Sequence, residues 1–418
     1  MKQWQKLLQE SCRDISKLQS FLNLDGEEVN SLRKISEKYP ICIPSYYLNL
    51  IDPKDRQDPI RRMCIPDLME FSEGGKKDTS GESENTVIQG MQHKYRQTVL
   101  ILSTNQCSMY CRHCFRKRMV GLSSEETVSY LPAMAEYVNA HPEINNVLIS
   151  GGDAFLNSNQ VIEEYLRYFS EIPHLRFIRF GTRTPVTLPQ RITRDDGELT
   201  DLLTRYSKKK QIMIVTQFNH PRELTEESRS AVRMLQESGC IVRNQTVLLK
   251  GVNDRPDVLA ELMNSLVACG IMPYYVFQCR PVEGVKNQFQ VPFAEGVRIV
   301  DGAKSLMCGP AKAFRYVLSH PAGKIEVIGA DSDGSMIFKY HQAKYDRDQS
   351  RIFRKKIPED QCWLEENDTE GEQNADISLC TETAEKKIDD EALISLFFDI
   401  EKPGRRPSEN SVRIILPV

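Results

Sequence analysis

Short apolar runs alternate with helical patterns from Tyr95 onward, and this alternation constrains the fold more than any other feature of the chain. The runs include TVLILST, NNVLISGG, FIRFGT, IMIVTQF, VRNQTVLL and PYYVFQC, and segments with apolar residues at helical spacing stand between them. Strands that alternate with helices predict a parallel sheet with crossover helices. We therefore expect an α/β fold built on a full or partial barrel, whose functional residues follow the carboxyl ends of the strands.

The regions on either side of this pattern differ from it. The N-terminal segments WQKLLQESCRDISKLQSFL and EEVNSLRKISEKY have helical periodicity and predict a helical cap. Between Glu70 and Val87 the chain is charged and almost free of apolar residues, which is typical of a loop or linker. Beyond Asp331 the pattern gives way to a charged region, and the final SVRIILPV suggests a closing strand. The predicted regions are 1–86 (N-terminal helical region and linker), 87–330 (barrel) and 331–418 (C-terminal extension).

Composition excludes some classes of partner. The 418 residues carry a formal net charge of -3, so no strongly basic face is available to recruit nucleic acid. No apolar run approaches the roughly 18 residues that a membrane span needs, and the first residues lack the apolar core of a signal peptide. We expect a cytoplasmic protein that acts on a small molecule and binds neither nucleic acid nor membrane.

Three of the twelve cysteines are clustered in one polar loop. Cys107, Cys111 and Cys114 follow the run TVLIL in the segment STNQCSMYCRHCFRKR, with the spacing C-x3-C-x2-C. Three thiolates leave one iron of a 4Fe-4S cluster open, and that iron can bind the amino and carboxylate groups of S-adenosylmethionine. A structural zinc site would need four ligands, usually in two separated pairs, and no second pair is present. We interpret the remaining, scattered cysteines as small core residues.

Six segments carry a resemblance to a known family over roughly residues 40 to 330. In chain order they are TNQCSMYCRHCFRKR, LISGGDAFL, RFGTRTPVTLPQRIT, TQFNHPRELT, NQTVLLKGVND and PYYVFQCRPVEG. The cysteine loop resembles that of the radical S-adenosylmethionine superfamily, and the ordered set resembles the lysine 2,3-aminomutase family. The resemblance implies a partial (β/α)6 barrel with N-terminal helical and C-terminal extensions, in a homo-oligomer that receives electrons from an external flavodoxin or ferredoxin type of donor. It also implies an isomerase that moves the α-amino group of an amino acid from C2 to C3.

The same resemblance places S-adenosylmethionine against the ends of the second and third strands. The superfamily motif Gly-Gly-Glu matches Gly151, Gly152 and Asp153, where glycines permit close backbone approach and the carboxylate suits the methionyl ammonium. A tight turn with a helix-capping aspartate is the alternative interpretation. Thr182 and Arg183 would contact the ribose or the carboxylate of the cofactor. The residues predicted to bind S-adenosylmethionine are Ser150, Gly151, Gly152, Asp153, Thr182 and Arg183.

The family also uses pyridoxal phosphate, held as an imine on a lysine after a turn that contains proline and glycine. Lys324 in SHPAGKIEV matches that place, although its turn is shorter than the glycine run of the lysine enzymes. Judged alone, a lysine at the start of a strand is usually solvated. Tyr95 matches the tyrosine that lies against the pyridine ring, while Lys94 and Thr98 stand where the lysine enzymes have arginines. The resemblance therefore implies Lys324 as the catalytic residue, with Tyr95 and Lys94 as further contacts of pyridoxal phosphate.

Two arginines are predicted to bind the substrate. By resemblance, Arg116 clamps the α-carboxylate, a task that suits a bidentate guanidinium. Arg280 stands where lysine-specific members have an aspartate that pairs with the distal ammonium, and their second aspartate falls near Val317 or Ser319. Because an arginine repels an ammonium and complements a carboxylate, the sequence resembles the glutamate 2,3-aminomutase branch, which forms β-glutamate. An Arg280 that turns outward or pairs with Glu283 is the alternative.

Three other functions remain open from the sequence. A lysine 2,3-aminomutase would require the acidic pairing residues that are missing here. A radical S-adenosylmethionine enzyme without pyridoxal phosphate would act on a peptide or protein, and a non-catalytic redox sensor would use the cysteine loop alone. Lysine-specific members also carry a cysteine-bound zinc between subunits, and with only Cys362 and Cys380 in the C-terminal region we expect no zinc.

Overall fold

One sheet organises the chain, and strands that are neighbours in the sheet are also neighbours in the sequence. The computed structural model describes residues 1–128 and 130–370, and within these residues the sheet has twelve strands. Each strand therefore pairs with the strands that precede and follow it in the chain. The strands are β1 (Thr86–Ile88), β2 (Met91–Tyr95), β3 (Thr98–Thr104), β4 (Asn146–Gly151), β5 (Phe177–Gly181), β6 (Gln211–Thr216), β7 (Ile241–Leu248), β8 (Met272–Gln278), β9 (Arg315–His320), β10 (Gly323–Ala330), β11 (Met336–Ala343) and β12 (Ile352–Lys355).

Helices cover the N-terminus and connect the central strands. Five precede the sheet: α1 (Gln3–Gln9), α2 (Gln19–Leu22), α3 (Gly26–Lys38), α4 (Ser45–Leu48) and α5 (Pro59–Cys64). The others follow β3 to β8: α6 (Leu131–Ala140), α7 (Asn159–Ser170), α8 (Thr184–Thr187), α9 (Gln190–Thr193), α10 (Glu198–Ser207), α11 (Glu226–Glu237), α12 (Pro256–Ala268), α13 (Lys286–Phe289) and α14 (Phe293–Ser305).

The central strands, β3 to β9, are parallel, and the strands at both ends of the sheet are antiparallel. Parallel neighbours need a long crossover, and each strand from β3 to β8 is followed by helix. These six strand-helix units form the partial (β/α)6 barrel that the sequence predicts. Within β5, Ile178 and Phe180 are fully buried and Arg179 between them is only partly buried, as expected when alternate residues face the helices and the lumen.

The N-terminal region is a helical cap, as its periodicity predicts. In α3 the side chain of Asp25 accepts a hydrogen bond from the Glu28 amide at 2.8 Å, and the Glu28 carboxylate accepts one from the Asp25 amide at 3.0 Å. This capping box satisfies two amide donors at the helix start. Val29, Leu32 and Ile35 lie on one face of α3 and join the main core. No helix among the described residues is both long and apolar enough to cross a membrane.

The charged segment between Glu70 and Val87 is largely a loop, yet it packs against the barrel. Glu70 is 1% exposed and its carboxylate lies 2.8 Å from Lys117 Nζ. Glu82 is 4% exposed and pairs with Arg116 at 2.8 Å. All described residues belong to one compact unit. The segment is therefore part of the barrel's packing, whereas its composition suggested a linker.

The sheet continues beyond Asp331, where the sequence pattern was expected to decay. β11 and β12 extend it in antiparallel register, and Met336, Phe338 and Tyr340 of β11 are buried in the core. Their alternation with Lys339 and other polar residues is that of a strand with one buried face. The closing strand predicted at SVRIILPV lies outside the described residues, and the division into three regions stays a prediction.

A buried lysine joins the two sides of the sheet. Lys94 Nζ, on β2, donates hydrogen bonds to the carbonyl of His320 at 2.6 Å and to the carbonyl of Ser80 at 3.3 Å. His320 ends β9, which lies seven strands away from β2 in the sheet order. The sheet must therefore curl until β2 approaches β9 and β10, and the lumen of the barrel is bounded on that side.

Candidate active site

The three clustered cysteines lie in the loop that follows β3, and all are partly buried and free of disulfides. The pKa of the Cys107 thiol is raised by burial and then by Asp153, Cys114 and Cys111. Three thiolates this close repel one another unless a cation shares their charge, and iron-sulfur clusters are held by such thiolates.

One side of the cysteine loop packs against apolar residues. In residues 1–128 and 130–370, no group of three or more His, Cys, Asp or Glu side chains is arranged around one metal-ion position. Cys107 and Cys114 pack against Leu102, Met119 and Val120, which form a small apolar floor for the loop. Three thiolate donors in one loop fit an iron-sulfur cluster.

Arg183 connects this loop to the ends of β5 and β6. Its Nη1 atom donates to Cys111 Sγ at 2.8 Å, Nη2 donates to Glu223 Oε1 at 2.6 Å, and Nε donates to the Gln217 carbonyl at 3.0 Å. The side chain is thus held from three directions. It positions the cysteine loop, and the predicted contact of Arg183 with S-adenosylmethionine stays a prediction.

Two glycines bring the end of β4 against the cysteine loop. Gly151 has a φ of +113°, and a Cβ atom there would lie 2.4 Å from the carbonyl oxygen of Thr104. A Cβ atom on Gly152 would lie 2.3 Å from the carbonyl oxygen of Gln106. Only glycine permits this approach, because any other side chain would overlap backbone atoms. The close contact is between two loops of the chain itself, and it fixes the predicted cofactor-binding motif beside the cluster loop.

The carboxylate of Asp153 is nearly saturated by the protein. It accepts hydrogen bonds from Thr182 Oγ1 at 2.6 Å, from the Arg183 amide at 2.7 Å and from the Phe155 amide at 3.0 Å. The last bond caps a short 3-10 turn, so the capping interpretation is observed. A carboxylate has about four acceptor positions, which leaves one for the methionyl ammonium. That role for Asp153 and the cofactor contact of Thr182 stay predictions.

Lys324 begins β10 and points into the barrel among aromatic rings. Its Nζ atom lies 4.6 Å from the ring centroid of Tyr275, 5.8 Å from that of Tyr95 and 5.9 Å from that of Phe277. Tyr275 is itself fixed, because its hydroxyl lies 2.8 Å from His341 Nε2. Within the described part of the chain, the ammonium forms no hydrogen bond and no ion pair. The structure thus brings Lys324 and Tyr95 together, as predicted.

Burial and neighbouring cations make Lys324 a weak base. Burial, and then the charges of Arg179 and Arg280, together lower the pKa of Lys324 from 10.5 to about 7. Lys94 behaves similarly: burial, then Arg280 and Lys324, lower its pKa to about 7. A lysine with such a pKa is largely unprotonated above neutral pH, the form that attacks a carbonyl.

A β-bulge in β8 directs two neighbouring rings into the lumen. Asn244 of β7 pairs with Pro273 and Gln245 pairs with Tyr275, so Tyr274 is an extra residue. The rings of Tyr274 and Tyr275 lie 4.0 Å apart between centroids. Consecutive residues of a regular strand point to opposite faces, and a bulge removes this constraint. The bulge therefore places both tyrosines on the face that Lys324 occupies.

Arg116 is held by a buried carboxylate. Its Nε and Nη2 atoms donate to Glu82 Oε1 at 3.0 and 2.8 Å, and Nη1 donates to the Gly151 carbonyl at 3.2 Å. Burial raises the pKa of Glu82, but Arg116 and Arg118 outweigh it and lower the pKa to about 2. Glu82 is therefore charged, and it fixes the guanidinium predicted to bind the substrate carboxylate.

Arg280 faces the interior. Its Cζ atom lies 4.2 Å from the ring centroid of Phe115, and its buried Nη1 has no hydrogen-bond acceptor within the described residues. The pKa of Arg280 is lowered to about 10, because burial outweighs the opposing effect of the Glu82 carboxylate. Glu283 pairs with Lys38 at 2.8 Å. The alternative in which Arg280 pairs with Glu283 is therefore wrong.

Comparisons with known proteins agree with this geometry. Residues 101–263 match the family model described as the radical SAM superfamily. A putative L-lysine 2,3-aminomutase from Aquifex aeolicus (strain VF5) is 40% identical over 319 residues, 76% of this chain and 84% of that protein. The chain belongs to the lysine 2,3-aminomutase family. Radical S-adenosylmethionine aminomutases are isomerases with a 4Fe-4S cluster, S-adenosylmethionine and pyridoxal phosphate as cofactors, and they need an amino-acid substrate and an electron donor.

Overall similarity to aminomutases does not decide the substrate. The L-lysine 2,3-aminomutase of Clostridium subterminale is 36% identical over 326 residues, 77% of this chain and 76% of that protein. The glutamate 2,3-aminomutase of Clostridioides difficile (strain 630) is 34% identical over 322 residues, 77% of this chain and 74% of that protein. Identities this similar leave the choice to individual residues of the aminomutase site.

Several residues of this aminomutase site escaped sequence reasoning. Glu82 stands in a segment whose composition resembles a linker, and Glu223 follows a proline in a loop. Arg179 could have been predicted from the sequence, because a charged residue between apolar residues of a central strand indicates a functional position. The placement of Tyr274 and Tyr275 could not have been predicted, because a bulge depends on the register with the neighbouring strand.

Proposed function

We propose that this enzyme moves the amino group of L-glutamate from C2 to C3, with pyridoxal phosphate bound through Lys324. The observation that carries the choice of substrate is the guanidinium of Arg280, which faces the lumen with an unpaired, buried Nη1. A distal carboxylate would supply the missing acceptor in a charge-assisted hydrogen bond. The lysine 2,3-aminomutase alternative would instead bring an ammonium to this guanidinium.

The balance of charge around Arg280 supports the same choice. Arg280 and Lys324 lower the pKa of Lys94. Arg179 and Arg280 lower the pKa of Lys324 in the same way. All four side chains belong to basic residues. The carboxylate with the largest effect on Arg280 is Glu82, which is already paired with two arginines. A site with this excess of positive charge attracts anions and repels a second ammonium.

Lys324 supports the dependence on pyridoxal phosphate. A pKa of about 7 gives a substantial fraction of free amine at neutral pH, and three aromatic rings surround the ammonium. Aromatic walls suit a flat pyridine ring. The alternatives without pyridoxal phosphate, a peptide-modifying enzyme or a redox sensor, give no role to a buried lysine of this kind.

Each part of the site has a distinct task in this proposal. Cys107, Cys111 and Cys114 hold the cluster, and Arg116, positioned by Glu82, binds the α-carboxylate. When bound, the cluster and S-adenosylmethionine supply a radical that removes hydrogen from C3, and pyridoxal phosphate supplies the π system for nitrogen migration. The barrel wall excludes water from the reacting atoms. A homo-oligomeric state, a flavodoxin or ferredoxin type of donor and a cytoplasmic location remain part of the proposal.

The substrate is tested by measuring β-amino-acid formation from L-glutamate and L-lysine, side by side, under anaerobic conditions with reconstituted enzyme. A charge-assisted pair contributes about 1.5 to 3 kcal/mol, so we expect glutamate to exceed lysine by tens to hundreds in kcat/KM. Arg280→Asp should lose most glutamate turnover, whereas Arg280→Lys, which keeps the charge, should retain a measurable part. Arg205→Asp on the outer helix α10 is the matched control and should behave as wild type.

Preferred turnover of lysine by the wild type would overturn the glutamate assignment. An equal loss of glutamate turnover in Arg280→Asp and Arg280→Lys would show that the positive charge at this position does not bind the substrate. Neither result would affect the radical chemistry, because Arg280 does not contact the cysteine loop's sulfur atoms.

A further inference from the structure

Two partly buried arginines inside the barrel each have a buried nitrogen without a hydrogen-bond acceptor in the part of the chain that the structure describes. Arg179 on β5 and Arg243 on β7 each have a buried Nε atom without a hydrogen-bond acceptor, and neither guanidinium forms an ion pair. Buried cations are normally paired, because removing a charge from water is costly. An anion bound in the barrel would give these buried nitrogens the acceptors that the described residues do not supply.

Both arginines lie beside the aromatic pair that the bulge creates. Arg243 Cζ is 5.2 Å from the ring centroid of Tyr274. After burial, which lowers the pKa of Arg179, the groups that act on this residue are Tyr274 and Tyr275. Tyr275 also packs 4.6 Å from Lys324 Nζ, and Arg179 is the neighbouring charge with the largest effect on that lysine. Arg179 is thus a neighbour of Lys324, and Arg243 lies on the adjoining wall beside Tyr274.

The positions next to Tyr95 are poorly suited to hold a dianion. Lys94 already donates to the carbonyl of His320 at 2.6 Å, and its pKa is lowered to about 7. Thr98 is uncharged, and its Oγ1 accepts a hydrogen bond from Asn146 Nδ2 at 3.0 Å. These two residues stand where the lysine enzymes have arginines. A phosphate bound in this barrel must therefore find most of its positive partners elsewhere.

We propose that Arg179 and Arg243 form the seat for the 5′-phosphate of pyridoxal phosphate, an inference that rests on the proposed role of Lys324. A phosphate monoester is close to a dianion at neutral pH, which matches two guanidiniums in charge. Guanidinium donors also fit phosphate oxygens in pairs. The seat gives the otherwise unpaired Nε atoms of both arginines their acceptors, and it places the phosphate on the wall that Tyr274 and Tyr275 form.

The test compares pyridoxal phosphate with pyridoxal, which lacks only the phosphate. Anaerobic, cluster-loaded protein is incubated with each compound over a range of concentrations and reduced with borohydride, and peptide mapping measures the fraction of Lys324 that carries the pyridoxyl group. In Arg179→Gln and in Arg243→Gln, the half-saturating concentration of pyridoxal phosphate should rise about 10- to 100-fold, while that of pyridoxal should change less than about twofold. Arg179→Lys should fall between wild type and Arg179→Gln, and Arg205→Gln is the matched surface control.

The outcomes separate this inference from the proposed function. Labelling of the wild type at another lysine, or at none, would overturn the role of Lys324 and with it the seat. A second outcome is that the wild type is labelled at Lys324 but Arg179→Gln and Arg243→Gln still prefer pyridoxal phosphate to pyridoxal. That result would overturn the phosphate site and leave the role of Lys324 intact. An equal loss of both compounds in all variants, Arg179→Lys included, would also overturn it, because the effect would not depend on phosphate. Retained pyridoxal labelling shows in the same experiment that a variant has folded.

Discussion

The pKa of Lys324 makes a prediction about the rate at which this lysine reacts with pyridoxal phosphate as the pH is changed. At pH 7 an ordinary lysine with a pKa of 10.5 is unprotonated in about one molecule in 3000, whereas a lysine with a pKa of about 7 is unprotonated in about half. Lys324 should therefore react about a thousand times faster than an exposed lysine at neutral pH. Its rate should reach half of its maximum near pH 7.

The assay follows covalent capture of pyridoxal phosphate between pH 5.5 and 10.5. Portions of cluster-loaded protein are quenched with borohydride at short times, and peptide mapping counts the label on Lys324 and on Lys209 in the same sample. Lys209 is exposed, and its hydrogen bond to Glu171 raises its pKa, so it is an internal reference that should react only at the alkaline end. Lys324→Met identifies label that arises from other sites.

The same shift predicts how stability depends on pH. Because the folded-state pKa lies below the unfolded value, the unfolded chain binds more protons between pH 7 and 10.5, and stability rises with pH across this window. Lys324→Met should therefore stabilise the protein most below pH 7 and hardly at all near pH 10.5, as measured by chemical denaturation. A half-maximal labelling rate near pH 10, or a stabilisation by Lys324→Met that does not vary with pH, would refute the reasoning.

Two further predictions concern the cysteine loop and the carboxylate that supports it. Cys107→Ala, Cys111→Ala and Cys114→Ala should each abolish reductive cleavage of S-adenosylmethionine, because two thiolates cannot hold a cluster with one open iron; near-normal cleavage by any of them after reconstitution would contradict this assignment. Glu82→Gln should lower the free energy of unfolding by about 3 kcal/mol, because the buried Arg116 loses its charged partner and Arg118 loses one of its two, and should raise KM for the amino acid about tenfold. Glu226→Gln on the exposed surface of α11 is the control, and an unchanged KM in Glu82→Gln would show that this carboxylate does not position the substrate clamp.

The strand-helix alternation was sufficient to predict the fold, because buried strands and amphipathic helices are local patterns. The run TVLILST coincides with β3, and the helical pattern of EEVNSLRKISEKY falls within α3 and its C-terminal end. β11 was missed because the polar residues Lys339 and His341, which alternate with Met336, Phe338 and Tyr340, make the segment look hydrophilic. Charge on the solvent side of an outer strand is ordinary, so composition alone gave a misleading impression of this region.

The site was predictable where residues act together in one segment, and unpredictable where distant segments meet. The cysteine loop and the glycines after β4 are readable because their spacing is fixed by a few residues of chain. The pairing of Glu82 with Arg116 crosses 34 positions, and a loop rich in charge gives no sign of which carboxylate is buried. Resemblance suggested Lys324, but only the packed structure shows the burial and the neighbouring guanidiniums that lower its pKa.

The bulge in β8 has a consequence for how this barrel can change. An extra residue at Tyr274 puts two rings on one wall, and it does so without altering the pairing of the strand on either side. Removing that one residue would restore the regular alternation of side chains between the two faces of β8. The lumen would then lose one aromatic ring, and Arg243 would lose its aromatic neighbour. The order of the strands in the sheet would not change. The breadth of the chamber around Lys324 is therefore set by the length of a strand as well as by its side chains. Insertions and deletions in β8 offer a route to new substrates that substitutions cannot reproduce.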